Sequence, residues 1–330
     1  MPVPKPRVLA IVGPTAVGKS DFALEIAEVH GGEIISADSR QVYRYMDIGT
    51  AKPSPEMRQR VPHHLLDLID PDQQYSVALF VRDATTALHE IWSRGKLPIV
   101  AGGTGLYVNA LLDGLELPAV PPDPSLRAEL ERRIRAEGLE AVAAELVRRD
   151  PDAAGVVDLR NPRRVIRALE VTLKSGQPFS AQRRRSPPDW DVLRIGLTLD
   201  RPLLYERINR RLEQQVAAGL VEEVQGLLAR GYRPEDPGLR GLVYREFVRH
   251  VLGELGLEEA IRLAQRETRR YAKRQLTWFR ADPQVHWFEA TPEGLQQAHA
   301  TIIQWLASSP DPPLPEQPSG ILTRTIQQRT

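Results

Sequence analysis

Apolar positions along this chain fall into two patterns. Residues 8–12 (VLAIV) form an unbroken apolar run, as a strand covered on both faces requires. Residues 33–37 (EIISA), 97–101 (LPIVA) and 192–199 (VLRIGLTL) read as further strands, the first of them after a Gly31-Gly32 turn. Residues 76–92 instead place Val77, Phe80, Val81, Ala84, Leu88 and Ile91 at the spacing of one helix face. Residues 21–27 have helical spacing too. Alternating strands and helices predict an α/β fold, a parallel sheet with helices on both faces. Ligands of such sheets gather beyond the carboxyl ends of the strands. That predicts residues 13–20, Asp38 and residues 102–105 around one mouth.

The pattern changes after Leu117. Residues 118–124 (PAVPPDP) read as a proline-rich hinge, and residues 125–175 as helices with no strand among them. Residues 176–190 are polar, basic and rich in turn formers. The expectation is a mainly helical insertion over 118–190, set within an α/β core made of 1–117 and 191–307. Two long helical patterns follow at 203–230 and 257–280. Residues 308–330 are proline-rich and polar, which predicts a disordered tail. No internal repeat is evident.

Composition narrows the class. The 330 residues are 42% hydrophobic and 26% charged, an ordinary globular balance. There is no cysteine, so disulfides and thiolate metal sites are excluded. No apolar stretch reaches the roughly 18 residues of a membrane span, and the N-terminus runs into the first strand without signal-peptide order. The expectation is a cytoplasmic protein with no membrane partner. Net charge is only +1, so any basic surface must be local.

Candidate chemistry starts at Gly13, Pro14, Thr15, Ala16, Val17, Gly18, Lys19 and Ser20. They fit the phosphate-binding P-loop template G-x-x-x-x-G-K-[ST] between a predicted strand and helix. Loop N–H groups and a helix N-terminus make an anion site. Lys19 adds positive charge, and the Ser20 hydroxyl can ligate Mg2+ whose other ligands are phosphate oxygens and water. Nothing in the loop reads a nucleobase. Asp38, at the end of a predicted strand, fits a metal ligand, a general base or a turn-capping carboxylate. Residues 102–105 (GGTG) fit either a close backbone approach to a ligand or a structural turn, with Thr104 offering a hydroxyl.

Three segments concentrate positive charge. Residues 160–167 carry four arginines, residues 183–185 are all arginine, and residues 268–280 (TRRYAKRQLTWFR) hold five cations and three aromatics with no acid. Cations interleaved with aromatics suit a phosphate backbone with unstacked bases, and three such segments in a nearly neutral chain favour RNA. The adjacent His63 and His64 read as structural, since neighbours point apart and no third ligand is spaced to join them. Arg207, on spacing alone, reads as a surface helix charge.

Together these segments resemble the tRNA dimethylallyltransferases, also called tRNA isopentenyltransferases. The matching stretches are GPTAVGKS at 13–20, ISADSRQVYRYMDIGTAKP at 35–53, PHHLLDLIDP at 62–71, AGGTGLY at 101–107, NPRRVIRALEV at 161–171, PFSAQRR at 178–184 and TRRYAKRQLTWFR at 268–280. They keep the family's order and span residues 8–290. The resemblance implies a P-loop NTPase-like fold with a tRNA-binding insertion. It implies transfer of a dimethylallyl group from dimethylallyl diphosphate to N6 of the adenosine just 3′ of the anticodon in tRNA.

The P-loop would then hold an isoprenoid diphosphate, with Mg2+ as cofactor at Ser20. Asp38 matches the family's general base, Arg207 a diphosphate contact, and Thr15 and Thr104 positions near the diphosphate and the acceptor. The resemblance carries tRNA contacts onto Asp38, Ser39, Arg40, Gln41, Thr104, Arg163, Arg164, Arg167, Gln182, Arg183, Arg269, Lys273 and Arg274. The partner would be the anticodon stem-loop, met by a monomer. Val243 stands where many members have glycine before the tyrosine, which suggests altered local packing. The missing Cys/His zinc finger matches the bacterial form. Three alternatives remain. A P-loop kinase or NTPase acting on RNA fits less well with the basic insertion and the missing acid after residues 97–101. Prenylation of a free adenine nucleotide would not need three basic segments. A non-catalytic RNA-binding protein would not need an intact loop at 13–20 with Asp38.

Overall fold

The computed structural model describes residues 5–308 apart from Leu117, Ala119 and Arg183. The chain divides into two compact units, one drawn from Met1–Leu111 and Asp189–Thr330, the other from Leu112–Pro188.

The first unit is built on six strands: β1 (Arg7–Val12), β2 (Gly32–Ser36), β3 (His63–His64), β4 (Leu97–Gly102), β5 (Asp191–Thr198) and β6 (Val285–Glu289). They pair in the order β3-β2-β4-β1-β5-β6, all parallel. The unbroken apolar run of β1 has its cause here. It is flanked by β4 and β5, and every one of its residues is buried. Helices α1 (Lys19–His30), α2 (Pro55–Arg60), α3 (Val77–Ser93) and α4 (Gly105–Leu112) follow along the chain, α4 ending on the first residue of the second unit. Ser76 starts α3 by accepting the Leu79 N–H at 3.2 Å. Leu9 and Ile11 of β1 pack with Phe22 and Ile26 of α1 and Ile195 of β5 in the main core.

The second unit holds α5 (Pro124–Glu137), α6 (Leu139–Arg149), α7 (Ala153–Val156) and α8 (Pro162–Ser175). Two prolines of the sequence turn out to be helix starts. Asp123 caps α5 with Pro124 in the first turn, and Asn161 caps α8 with Pro162 in the first turn. Its core joins Leu130, Val142, Leu146, Val165 and Leu169. Glu170, 0% exposed, accepts from Arg127 at 2.8 Å, Arg167 at 2.6 Å and the Asp123 N–H at 2.7 Å. These charge-assisted bonds satisfy the buried carboxylate and lock α5 to α8.

The first unit resumes with α9 (Arg201–Ala217), α10 (Leu220–Ala229), α11 (Tyr244–Val251), α12 (Leu257–Arg280) and α13 (Pro292–Ala307). The single helical pattern expected over 203–230 is two helices. Gly219 adopts φ 100°, a left-handed conformation that ends α9 and lets α10 start in a new direction. Six elements of this unit had no signal strong enough to expect: α2, the two-residue β3, α4, α11, and β6 and α13, which close the sheet edge. Val285 alone is buried in β6, so its sequence shows no alternation. His63 and His64 are structural, as expected: His64 lies 2.7 Å from Glu33, and His63 bonds the Val61 carbonyl at 2.8 Å.

Candidate active site

Residues 13–20 join β1 to α1 and leave the first-turn N–H groups of α1 without helical acceptors. Not all of the loop faces a ligand. The Thr15 N–H donates to Gln275 Oε1 at 2.9 Å, and Pro14 has no N–H to offer. The Pro14 carbonyl accepts from Lys19 Nζ at 2.7 Å, and the Val17 carbonyl from Arg207 at 3.3 Å. Anion donation therefore falls to the later residues of the loop and the helix start.

These groups line a cavity of about 520 Å³. Its walls include Thr15, Gly18, Lys19, Ser20, Asp38, Gly102, Gly103, Arg207, Arg210, Arg211, Tyr271 and Gln275. Arg207, Arg210, Arg211 and Gln214 sit at positions i, i+3, i+4 and i+7 of α9 and so share one face. That spacing was legible, but only the sheet decides that this face meets the cavity. Arg207 thus belongs to the loop's surroundings, which overturns its reading as a surface charge. Burial pushes the Lys19 ammonium down to about 7, Arg211 adds to the shift, and Asp38 opposes it. Burial also holds the Arg211 guanidinium below its usual range, against the pull of Asp38 and Asp21. Cations desolvated in this way bind a compact polyanion far more strongly than solvated ones.

Asp38 follows β2 directly. Its Oδ1 accepts the Arg40 N–H at 2.8 Å, so the turn-capping role is realised and orients the carboxylate at the cavity wall. The Ser39 N–H donates to Thr104 Oγ1 at 3.1 Å, and the Thr104 N–H donates to the Ala37 carbonyl at 3.2 Å. The ends of β2 and β4 are stitched together there. Tyr271 stands nearby, its phenol pushed up to about 12 by burial and by Asp38, and hydrogen-bonded to Thr104. Arg40 and Gln41 turn inward. Arg40 donates to the Pro237 carbonyl at 3.0 Å, and Gln41 to the Ala51 carbonyl at 3.1 Å.

The chain at 47–53 forms a strap along this cavity, and its anchor was not apparent in the sequence. Glu223 of α10 accepts the N–H groups of Asp47 and Ile48 at 2.8 Å and of Gly49 at 3.1 Å, and the Tyr244 hydroxyl at 2.5 Å. Lys52 then reaches Asp47 at 2.8 Å and Asp67 at 2.5 Å. Val243 precedes that tyrosine with φ 74° and ψ −62°, a strained backbone for a β-branched residue. The departure from glycine at this position is therefore a backbone matter, not packing alone.

The basic segments separate by environment. On α12, Lys273 and Arg274 are exposed, with the Arg274 guanidinium 5.7 Å from the Tyr271 ring centroid. Arg269 is half-buried and donates to Asn209 at 2.6 Å. The three aromatics divide: Phe279 is core, Tyr271 lines the cavity, and Trp278 is exposed. Within the second unit, Arg163 and Arg164 are exposed on the first turn of α8, whereas Arg167 is held by Glu170. Gln182 donates to Ser175 Oγ at 2.8 Å, and Arg183 lies outside the described residues.

No cluster of three or more His, Cys, Asp or Glu that could hold a metal occurs among the described residues. Mg2+ bound through a diphosphate needs only one or two protein oxygens. Ser20, Asp21 and Asp38 line the same cavity, so the donor set fits. No helix among the described residues is long and apolar enough to cross a membrane.

Comparison with known proteins agrees with this geometry. Residues 41–282 match the IPP transferase family, and residues 6–67 match the isopentenyl transferase family. The tRNA dimethylallyltransferase of Thermomicrobium roseum is 53% identical over 287 residues, covering 87% of each chain. The crystal structure of a full-length tRNA isopentenylpyrophosphate transferase from Bacillus halodurans superposes with a TM-score of 0.69 at 43% identity, over 92% of this chain and 97% of that one. A eukaryotic dimethylallyltransferase acting on tRNA reaches a TM-score of 0.75 at 25% identity, over 95% of this chain and 81% of that one. With a P-loop cavity of desolvated cations beside Asp38, and with family similarity across most of its length, the chain belongs to the tRNA dimethylallyltransferase family.

Proposed function

We propose that this chain transfers the dimethylallyl group of dimethylallyl diphosphate to N6 of the adenosine 3′-adjacent to the anticodon, acting in the cytoplasm as a monomer on the anticodon stem-loop. The observation that carries this reading is one cavity holding both an anion-binding loop and a strand-end carboxylate, Asp38. The loop needs no base-reading pocket when its anion is an isoprenoid diphosphate.

The residues divide the work. Adenine N6 is a weak nucleophile because its lone pair is delocalised into the ring. As N6 bonds to the allylic carbon and the carbon–oxygen bond breaks, Asp38 accepts the N6 proton. The electron pair of that bond leaves on the diphosphate. Lys19, Arg207 and the loop N–H groups stabilise the growing charge on the leaving oxygens. When bound, Mg2+ at Ser20 supplies further neutralisation of the diphosphate. Thr104, beside Asp38 through the Ser39 N–H, positions the acceptor. The adenosine must leave its stack to reach Asp38. The exposed Arg163, Arg164, Lys273 and Arg274 hold the RNA backbone.

The test is a transfer assay with Mg2+, labelled dimethylallyl diphosphate and unmodified tRNA, with ATP alone and with AMP as parallel acceptor reactions. N6-dimethylallyladenosine in digested tRNA is the expected result. Steady ATP hydrolysis without transfer, or prenylated AMP without prenylated tRNA, would overturn it.

A further inference from the structure

Gln275 is an oddity on α12. It is polar, only 5% exposed, and lies in a segment whose charges read as an RNA face. Both ends of its side-chain amide are engaged. The carbonyl Oε1 accepts the Thr15 N–H at 2.9 Å, and Nε2 donates to the Gly103 carbonyl at 2.9 Å. One side chain therefore bolts the phosphate loop after β1 to the glycine turn after β4. The approach is close: a Cβ at residue 103 would meet the Gln275 amide nitrogen, so a side chain there would require the Gln275 amide to move off its two bonds.

Thr15 lies on the side of the cavity that holds the anion. Gly103 precedes Thr104, whose hydroxyl accepts from the residue after Asp38. The two groups that Gln275 joins thus belong to the two halves of the reaction, leaving group on one side and acceptor on the other. One turn earlier on the same helix, Tyr271 faces Asp38 and Thr104. We infer that Gln275 is a positioning residue that sets the separation between the diphosphate anchor and the acceptor position. This rests on the prenyl-transfer reading above. It adds that in-line geometry in this enzyme depends on a buried amide whose acceptor and donor are both engaged by the backbone of the two loops.

Amide chemistry makes the inference specific. Glutamine alone among side chains of this length offers an acceptor and a donor a fixed distance apart. Methionine keeps the volume and the helix but loses both bonds. Glutamate keeps the acceptor for Thr15, yet its second oxygen faces the Gly103 carbonyl with no hydrogen between them. Protonation restores that hydrogen, and burial favours the protonated acid.

The experiment measures three quantities for wild type, Gln275→Met and Gln275→Glu: thermal stability, inorganic pyrophosphate and tRNA dissociation constants, and kcat against pH. The expected result is that Gln275→Met binds pyrophosphate and tRNA within a few-fold of wild type while kcat falls on the order of 10²-fold, the cost of a small misplacement of reacting atoms. Gln275→Glu is expected to recover relative to wild type as pH falls. A kcat for Gln275→Met within threefold of wild type overturns the inference. So does a Gln275→Glu to wild-type ratio that stays flat with pH, which also decides the matter if Gln275→Met fails to fold. An inactive wild type would instead overturn the prenyl-transfer reading, so the two failures are distinguishable.

Discussion

Two sets of cations in this protein share chemistry and differ in burial. Lys19, Arg207 and Arg211 are half-buried and line the cavity at the strand ends, where burial pulls Lys19 and Arg211 toward neutrality. Lys273 and Arg274 of α12, like Arg163 and Arg164 in the second unit, are exposed. The first set suits one compact polyanion, because low dielectric strengthens each contact and fixed geometry rewards a single shape. The second suits an extended polyanion whose contacts are screened, roughly additive and sensitive to salt. Arg167 shows a third fate. Bound to buried Glu170 on its own helix and to the Val120 carbonyl, it is tied into the second unit, although the sequence places it in the same basic run.

The largest effect expected is chemical. Asp38→Ala should lower kcat by about 10²–10⁴-fold, the range of a lost general base, with tRNA affinity within a few-fold of wild type. Near-normal single-turnover rates would remove Asp38 from that role.

The cavity set can be broken through its protons. Lys19 is mostly neutral above its value of about 7 and must be charged when it holds an anion. Pyrophosphate binding to wild type at pH 8 should therefore take up more protons than binding to Lys19→Met. Calorimetry in buffers of different ionisation enthalpy reads that difference, which should vanish by pH 6, where Lys19 is already charged. The variant should also bind pyrophosphate more weakly by about tenfold, the scale of one lost charge-assisted bond.

The exposed set should answer to salt instead. Lys273→Glu with Arg274→Glu should weaken tRNA binding about tenfold at moderate salt and reduce the slope of log affinity against log salt by about two. Pyrophosphate binding should not change. An unchanged slope would take these residues off the RNA face.

The smallest effect concerns the strap. Val243→Gly should be more stable than Val243→Ala by about 1 kcal/mol, the preference of a left-handed backbone for glycine. Denaturant midpoints of the two variants check this. The opposite order would show the strain at φ 74° to be absent in solution.

What the sequence determined on its own is local. Strand β1, the loop to Ser20 and the start of α1 are contiguous, so apolar run, glycines and lysine report one anion site with no help from elsewhere. The bounds expected for the helix at 257–280 are those of α12, because its polar and apolar faces persist over many turns. The ordered motifs carried the family in the same way. Tertiary structure alone decided which residues from distant segments meet. Nothing near Arg207 in the chain says that its helix face meets the loop, nothing near Glu170 says that Arg127, 43 positions away, reaches it, and Gln275 is separated from Thr15 by 260 positions. A helical pattern records that a side chain is on one face. Which partner that face receives is a property of the packed sheet, where buried polar atoms must find one another across the whole chain.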